Sequence, residues 1–388
     1  MPEHLLIYEP RTEGHHLGWL RFLVEDLLSA NYRLTLAVDL RPEAKPKLQD
    51  HLAEFVSEVQ LISAYDAAGR RHDGGRADSV GFCLEQSGAE RVFLAAIDEV
   101  ASSCWRRAAL GMYPPDTLRG RFGGIYHRPR FLVAPWWSPN RWVKSIGFRR
   151  VLQGGWLRQL LFVDEFLAAS LRKQFSAAPV FFLPDACPDN FARDSRTARK
   201  KLGLPLDRRI FLCFGTGARR KGLHIAVAAW CGLPPDEPPF LLCAGQLNAQ
   251  GNTSRSLEKL VKQNRAAVLD RYVSAEEEPL CFAAADIVLL PYLNHFGTSG
   301  VLSRAMAAGK MVIASDEQLL GQLTRTHGVG LLFPSGDVMQ LRECIRKAAG
   351  MSTAEQASWA TAARQYAAKY SRTAFREGLL IALGNAAK

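Results

Sequence analysis

The sequence predicts an α/β protein of two doubly wound parallel-sheet domains, and three observations lead there. At 388 residues the chain exceeds what one compact core holds, so two domains of roughly 150–200 residues are expected. Short apolar runs alternate with helical periodicity along most of its length, the βαβ rhythm of a parallel sheet covered on both faces. The stretch DIVLLPYLNHFGTSGVLSRAMAAGKMVIAS, residues 286–315, compresses that rhythm into strand, loop, helix and strand. Its apolar run closes at Pro291 and Tyr292. Ser299 is the expected N-cap, Val301, Leu302, Ala305, Met306 and Ala308 the apolar face, and Gly309 the stop. The loop lies at the carboxyl end of a strand, where doubly wound sheets bind ligands. Its small residues Gly297, Thr298, Ser299 and Gly300 let backbone N–H groups approach an anion.

In the N-terminal half the expected strands are His4 to Glu9, Arg33 to Asp39, Val59 to Ile62, Arg91 to Ala96, Gly123 to His127, Leu160 to Val163 and Val180 to Leu183. Leu17 to Ala30 is an amphipathic helix, and Asp66 to Ser79, with three glycines and several charges, reads as a surface loop. The turn PDACPDN after Leu183 marks a boundary. Ser195 to Leu202 is a basic helix, and a second series of strands follows: Arg209 to Phe214, Phe240 to Cys243, Ala267 to Leu269, Asp286 to Leu290, Met311 to Ala314 and Gly330 to Phe333. The domains expected are 1–185, 186–358 and a helical tail over 359–388 that crosses back to the first.

Composition narrows the class. Hydrophobic residues at 48% and charged residues at 22% are ordinary for a globular protein. The opening MPEHLLIYEP lacks a basic region and an apolar core, so no signal peptide is expected, and no run is long enough to span a membrane. The eight cysteines form no CxxC pair and read as small buried hydrophobes of a reducing cytoplasm. The net charge of +11 is uneven: from Thr117 to Val163 there are nine Arg or Lys residues and no Asp or Glu, with Trp136, Trp137, Trp142 and Trp156 among them. Two readings stand, an anionic membrane surface or polyanionic ligand and a solvated basic face with indoles used in packing. Charge alone admits nucleic acid, but no nucleic-acid-binding motif is present. The expected location is the cytoplasm, peripheral on the inner face of the membrane if the first reading holds.

After the strand ending at Phe214 comes Gly215-Thr216-Gly217-Ala218-Arg219-Arg220-Lys221-Gly222, then the apolar helix Leu223 to Trp230. Three consecutive cations on a glycine-bearing turn suit a diphosphate: lysine as a point charge, arginine as a bidentate partner. The dinucleotide fingerprint fails because Arg220 stands where it needs glycine. The P-loop fails because Leu223 and His224 follow Gly222. This turn and the 297–301 loop suggest one nucleotide diphosphate held by cations on one side and amides on the other. There is no D-x-D pair to carry a metal, so cations would neutralise the leaving group themselves.

These residues resemble the retaining GT-B glycosyltransferases of family 4. The matching pieces are FGTGARRKGLH (214–224), Gly245 after FLLCA, VSAEEEPLCFAAADIVLLPY (273–292), TSGVLSRAMAAGKMVIASD (298–316) and GLLFPSGD (330–337). They keep the family's order and spacing over nearly all of 180–345. The resemblance implies a UDP- or GDP-linked sugar bound mainly to the C-terminal domain and a saccharide, lipid-linked or other hydroxyl acceptor on the N-terminal one. Transfer would retain configuration, with no cofactor, no metal and no protein nucleophile. Lys221 matches the lysine on the donor diphosphate, with Arg219 or Arg220 in place of an arginine whose region is occupied by Thr216, Gly217 and Ala218. Thr298, Ser299, Gly300 and Val301 match the phosphate-binding helix start. Gly14 and His16 lie in the first glycine-bearing loop, and Gly215 and Gly245 in the donor-side turns. His127 matches a histidine near the transferred sugar, while Glu13 or Asp98 could take a proton from the acceptor. Phe296 and Arg304 stand where the family has two glutamates eight residues apart, which leaves the donor open. Two other functions share the motifs: a non-catalytic nucleotide-binding relative and a sugar-nucleotide epimerase.

Overall fold

The computed structural model describes residues 2–12, 16–66, 68–70, 76–134, 136–189, 191, 193–234 and 239–384. The chain divides into two compact units, one running to Leu183 and including the chain from Arg376 onward, the other Pro184–Phe375.

The first unit carries a seven-stranded sheet of β1 (His4–Glu9), β2 (Arg33–Val38), β3 (Val59–Ser63), β4 (Arg91–Leu94), β5 (Phe122–Tyr126), β6 (Leu157–Phe162) and β7 (Val180–Phe182). The order is β3-β2-β1-β4-β5-β6-β7 and every pairing is parallel. The second unit repeats the scheme with β8 (Ile210–Phe214), β9 (Phe240–Ala244), β10 (Ala266–Leu269), β11 (Ile287–Leu290), β12 (Met311–Ser315) and β13 (Gly330–Phe333), in the order β10-β9-β8-β11-β12-β13, again all parallel. In each sheet the winding reverses beside the first strand, between β1 and β4 and between β8 and β11. Those are the crevices where such sheets take ligands.

Helices on both faces leave the strands nearly all apolar and buried. Every residue of β1 and of β11 is buried. Trp105 anchors the core of the first unit and Trp230 that of the second, both fully buried. Six cysteines are buried, Cys344 is half-buried and Cys231 is exposed.

The structure departs from the sequence reading at several places. The segment expected as loop to Ser79 turns helical at Arg76, in the helix Arg76–Ser87, because Val80, Cys83 and Leu84 present an apolar face to the core. Asp286, expected in a strand, sits just before β11, where its carboxylate accepts the Ile210 N–H and an Arg199 N–H, each at 2.7 Å. Trp156, grouped by sequence with the other indoles of 117–163, is buried: it stacks on Tyr113 at 5.3 Å with Arg119 over its ring. Among the described residues no helix is long and apolar enough to cross a membrane.

Candidate functional site

The glycine turn after β8 is shaped by contacts that exclude side chains. Gly215 has φ +119° and Gly222 φ +70°, the left-handed region that favours glycine. A Cβ on Gly217 would collide with the Leu247 carbonyl, and one on Gly222 with that of Pro291. Gly217 N–H donates to Gln246 O at 2.9 Å, and Leu293 N–H donates to Arg220 O at 2.8 Å. The cationic turn Arg219–Lys221 is thereby fastened to the loop leaving β11. Gly245 is a floor residue: its φ is +123°, its N–H donates to Leu269 O at 3.0 Å, and a Cβ there would strike the Gly215 carbonyl.

The two loops meet through a side chain that motif reasoning passed over. Lys221 Nζ donates to the Tyr292 hydroxyl at 2.7 Å and lies 3.9 Å from the ring centroid. Ser299 Oγ is hydrogen-bonded to the same hydroxyl at 3.2 Å. Tyr292 is 2% exposed, and burial pushes its phenol above the ordinary range. His295 Nε2 donates to Thr298 O at 3.1 Å, and its ring stands edge-on to Tyr292 at 4.9 Å. Burial, then the neighbouring Arg220, lowers the Lys221 ammonium to about 8. This cation has given up water and, among the described residues, has no carboxylate against it, the condition in which an arriving anion gains most.

Ser299 caps the helix Gly300–Ala307 by accepting the Leu302 N–H at 3.4 Å. The N–H groups of Gly300 and Val301 open this first turn, without intrahelical acceptors and at the positive end of the helix dipole. Thr298 hydrogen-bonds the Asp185 carboxyl, which burial pushes up. Arg304 lies back along the helix, donating through Nε to Glu278 at 2.6 Å and through Nη1 to Gly300 O at 3.0 Å. Arg219 faces a cleft of about 540 Å³, also lined by Gly217, His224, Leu247, Asn248 and Thr253.

The structure thus gathers Arg220, Lys221, Thr298, Ser299, Gly300, Val301 and Arg304 around the crevice between β8 and β11, with Gly215 and Gly245 beneath. Tyr292, Asp185 and Glu278 belong to the cluster, and sequence reasoning missed all three. The only signal for Tyr292 was a hydroxyl at the end of an otherwise apolar strand. Asp185 lies in the boundary turn PDACPDN and Glu278 inside the matching stretch 273–292, but neither carries a local signal for its partner. Among the described residues no group of three or more His, Cys, Asp or Glu side chains is placed to hold a metal.

In the first unit, His127 directly follows β5. Its Nε2 donates to Ala95 O at 3.0 Å, and its ring meets Trp19 edge-on at 4.8 Å. Burial lowers its pKa to about 4, so the ring is neutral at physiological pH with the proton on Nε2. Asp98 uses both carboxylate oxygens on backbone, accepting the N–H of His127 at 2.9 Å and of Arg128 at 2.8 Å. That arrangement sets the loop carrying His127. His16 Nδ1 bonds Glu9 Oε2 at 3.0 Å, and Glu9 Oε1 also accepts the Arg11 N–H at 3.1 Å. Glu13, Gly14 and His15 lie outside the described residues.

Residues 194–366 match the family model described as Glycosyl transferases group 1, which falls within the second unit. D-inositol 3-phosphate glycosyltransferase of Corynebacterium urealyticum is 28% identical over 187 residues, 46% of this chain and 43% of that protein. The match therefore spans less than half of the relative's length. A glycosyltransferase from Rickettsia africae superposes with TM-score 0.69 at 13% identity, covering 99% of this chain and 98% of the other. Anabaena HepE, solved with UDP, gives 0.67 at 15% identity over 99% and 100%. WaaG, a glycosyltransferase of lipopolysaccharide biosynthesis, gives 0.65 at 17% over 98% and 99%. The fold is GT-B, as the resemblance implied.

Proposed function

We propose that this chain is a retaining glycosyltransferase that takes a sugar from a nucleotide-diphosphate donor. The observation that carries the reading is the hydrogen-bonded series Lys221–Tyr292–Ser299, which joins a desolvated cation to a capped helix start across the switch point of the second sheet. One diphosphate bridging the two would meet the ammonium on one side and the amides of Gly300 and Val301 on the other. The group 1 glycosyltransferase match over 194–366 supports the same assignment. UDP is the first nucleotide to test, since the HepE structures contain UDP and UDP-glucose.

In the proposed reaction the bond from the anomeric carbon to the phosphate oxygen breaks and a bond to the acceptor oxygen forms on the same face. The acceptor's hydroxyl proton passes to the departing phosphate oxygen. Lys221, Arg220 and the helix start stabilise the charge that develops there, the contribution expected to dominate. His127 is neutral, with its Nε2 proton donated to Ala95 O, so it does not serve as a proton donor. The acceptor belongs to the class of saccharides, lipid-linked saccharides or phosphorylated polyols, the last suggested by the inositol-phosphate relative.

The test is isothermal titration with UDP, GDP and their sugars, followed by a turnover screen against those acceptors with NMR assignment of the product anomer. Absence of nucleotide binding, or binding unaffected by Lys221→Ala, would sink the reading. A second reading has its own support. Phe296 and Arg304 stand where carboxylates would hold donor, and Arg304 is committed to Glu278 and Gly300, which suits a relative that binds nucleotide without turnover. Binding without product in every donor and acceptor combination would favour it.

A further inference from the structure

The helix Pro139–Gln153 of the first unit presents two apolar faces, and its fold uses only one. Gly147, Phe148, Val151 and Leu152 are buried against the unit, and Gly147 lies so near the Trp105 carbonyl of the helix Asp98–Ala109 that a Cβ would collide with it. Trp142, Val143 and Ile146 point the other way. With Val133, Trp136 and Trp137 they make six large apolar side chains between 41% and 69% exposed, all within fourteen residues. A helix paired on one side has no folding reason for a second apolar stripe.

The cluster is ordered from within. Trp142 Nε1 donates to Trp136 O at 2.6 Å, and the Trp136 and Trp137 rings meet edge-to-face at 6.1 Å. The Arg141 guanidinium bonds the Ala134 carbonyl, bracing the turn that carries the indoles. With its N–H satisfied inside the turn, Trp142 shows the outside hydrocarbon alone. Along the sequence the charge has one sign: nine cations and no carboxylate between Thr117 and Val163. Lys144 and Arg106 sit close enough for their charges to oppose each other.

We propose that this face is a membrane-docking surface, in which Trp136, Trp137, Trp142, Val143 and Ile146 enter the interfacial layer of an anionic bilayer while the cations beside them meet lipid phosphates. Amphipathic indoles belong at that depth, and basic residues near an anionic leaflet add attraction that acts within a Debye length. A protein partner would more often answer such a patch with carboxylates in fixed register, whereas a lipid surface asks only for apolar tips and a positive surround. The inference is independent of sugar transfer, since it concerns the first unit alone.

The experiment is vesicle co-sedimentation of the full chain with phosphatidylcholine vesicles, with and without phosphatidylglycerol. Binding is expected only with the anionic lipid. It should weaken as salt rises from about 0.1 M to 1 M, which shortens the Debye length from ~10 Å to ~3 Å. Trp136→Ser, Trp137→Ser and Trp142→Ser together should reduce partitioning roughly tenfold or more; Lys144→Glu with Arg149→Glu should remove the lipid preference. The circular dichroism melt and the nucleotide titration of each variant serve as controls, since none of these residues lies in the second unit. Partitioning equal in the triple variant and the parent overturns the proposal, as does failure to bind any vesicle. So does Trp-dependent dimerisation in sedimentation velocity, which would assign the face to a second copy of the chain.

Discussion

Lys221 Nζ lies 2.7 Å from the hydroxyl of Tyr292 and 3.9 Å from the centre of its ring, so the cation meets both the oxygen and the ring of one buried phenol. Removing the cation and removing the hydroxyl should therefore differ in size. Lys221→Ala deletes a charge-assisted contact and is expected to weaken nucleotide binding about 10- to 100-fold, matching ~1.5–3 kcal/mol. Tyr292→Phe keeps the ring and the ligand's own contacts but loses the hydroxyl's hydrogen bonds to Lys221 and Ser299, for about 2- to 10-fold. Titration calorimetry of both variants checks the order; equal losses would mean that Tyr292 binds the ligand directly.

The ammonium of Lys221 is lowered to about 8 in the folded protein from an ordinary value of 10.5. Between those values the unfolded chain binds more protons than the folded one. This group's destabilising contribution is thus fully present below about 8 and relieved as pH rises towards 10.5. Ligand binding runs the other way, because the phosphate needs the charged form. Nucleotide affinity should fall as pH climbs above about 8, with about half a proton taken up per nucleotide bound near pH 8 and up to one above it. Calorimetry in buffers of different ionisation enthalpy measures the uptake, and Lys221→Ala should abolish it.

Much of this site could be read from residue order, and the reason is chemical. Backbone positions that need glycine announce themselves, as Gly215, Gly222 and Gly245 do, and so does a run of three cations. Ser299 before an apolar helix is an equally local signal. Tyr292, Asp185 and Glu278 act through partners at other places in the chain: the first reaches Lys221, the second Thr298 and the third Arg304. Such pairings depend on which strands become neighbours, and nothing local encodes that β8 lies against β11. The same limit explains Trp156, whose burial follows from Tyr113 and Arg119 and not from its own surroundings in sequence.

Gly222 offers a test of the turn itself. Both Gly222 and Gly203 have positive φ, +70° and +65°, yet only at Gly222 would a Cβ meet another carbonyl, that of Pro291. Gly203→Ala should cost about 1 kcal/mol from the backbone conformation alone. Gly222→Ala adds the collision, for roughly 1–3 kcal/mol more, and should also loosen nucleotide binding because the cationic turn shifts away from Leu293. Thermal melts and titrations of the two variants side by side provide the comparison; a Gly222 variant that behaves like the Gly203 one would deny the turn its role.

The pair Arg304–Glu278 separates two roles for Arg304. Its 2.6 Å contact is partly exposed, so its value as an ion pair is small, and its interest lies in the hold it takes on Gly300. Arg304→Glu places two carboxylates against each other and should lower both the melting temperature and nucleotide affinity. Combining it with Glu278→Arg restores the pair with reversed direction. If Arg304 acts only by bracing the helix start, the double variant regains melting temperature and affinity together. If its positive charge also meets the donor, the melting temperature returns and affinity does not. The second outcome would make Arg304 a recognition residue standing where a carboxylate is usual, and would direct the donor search towards sugars or nucleotides with an extra negative charge.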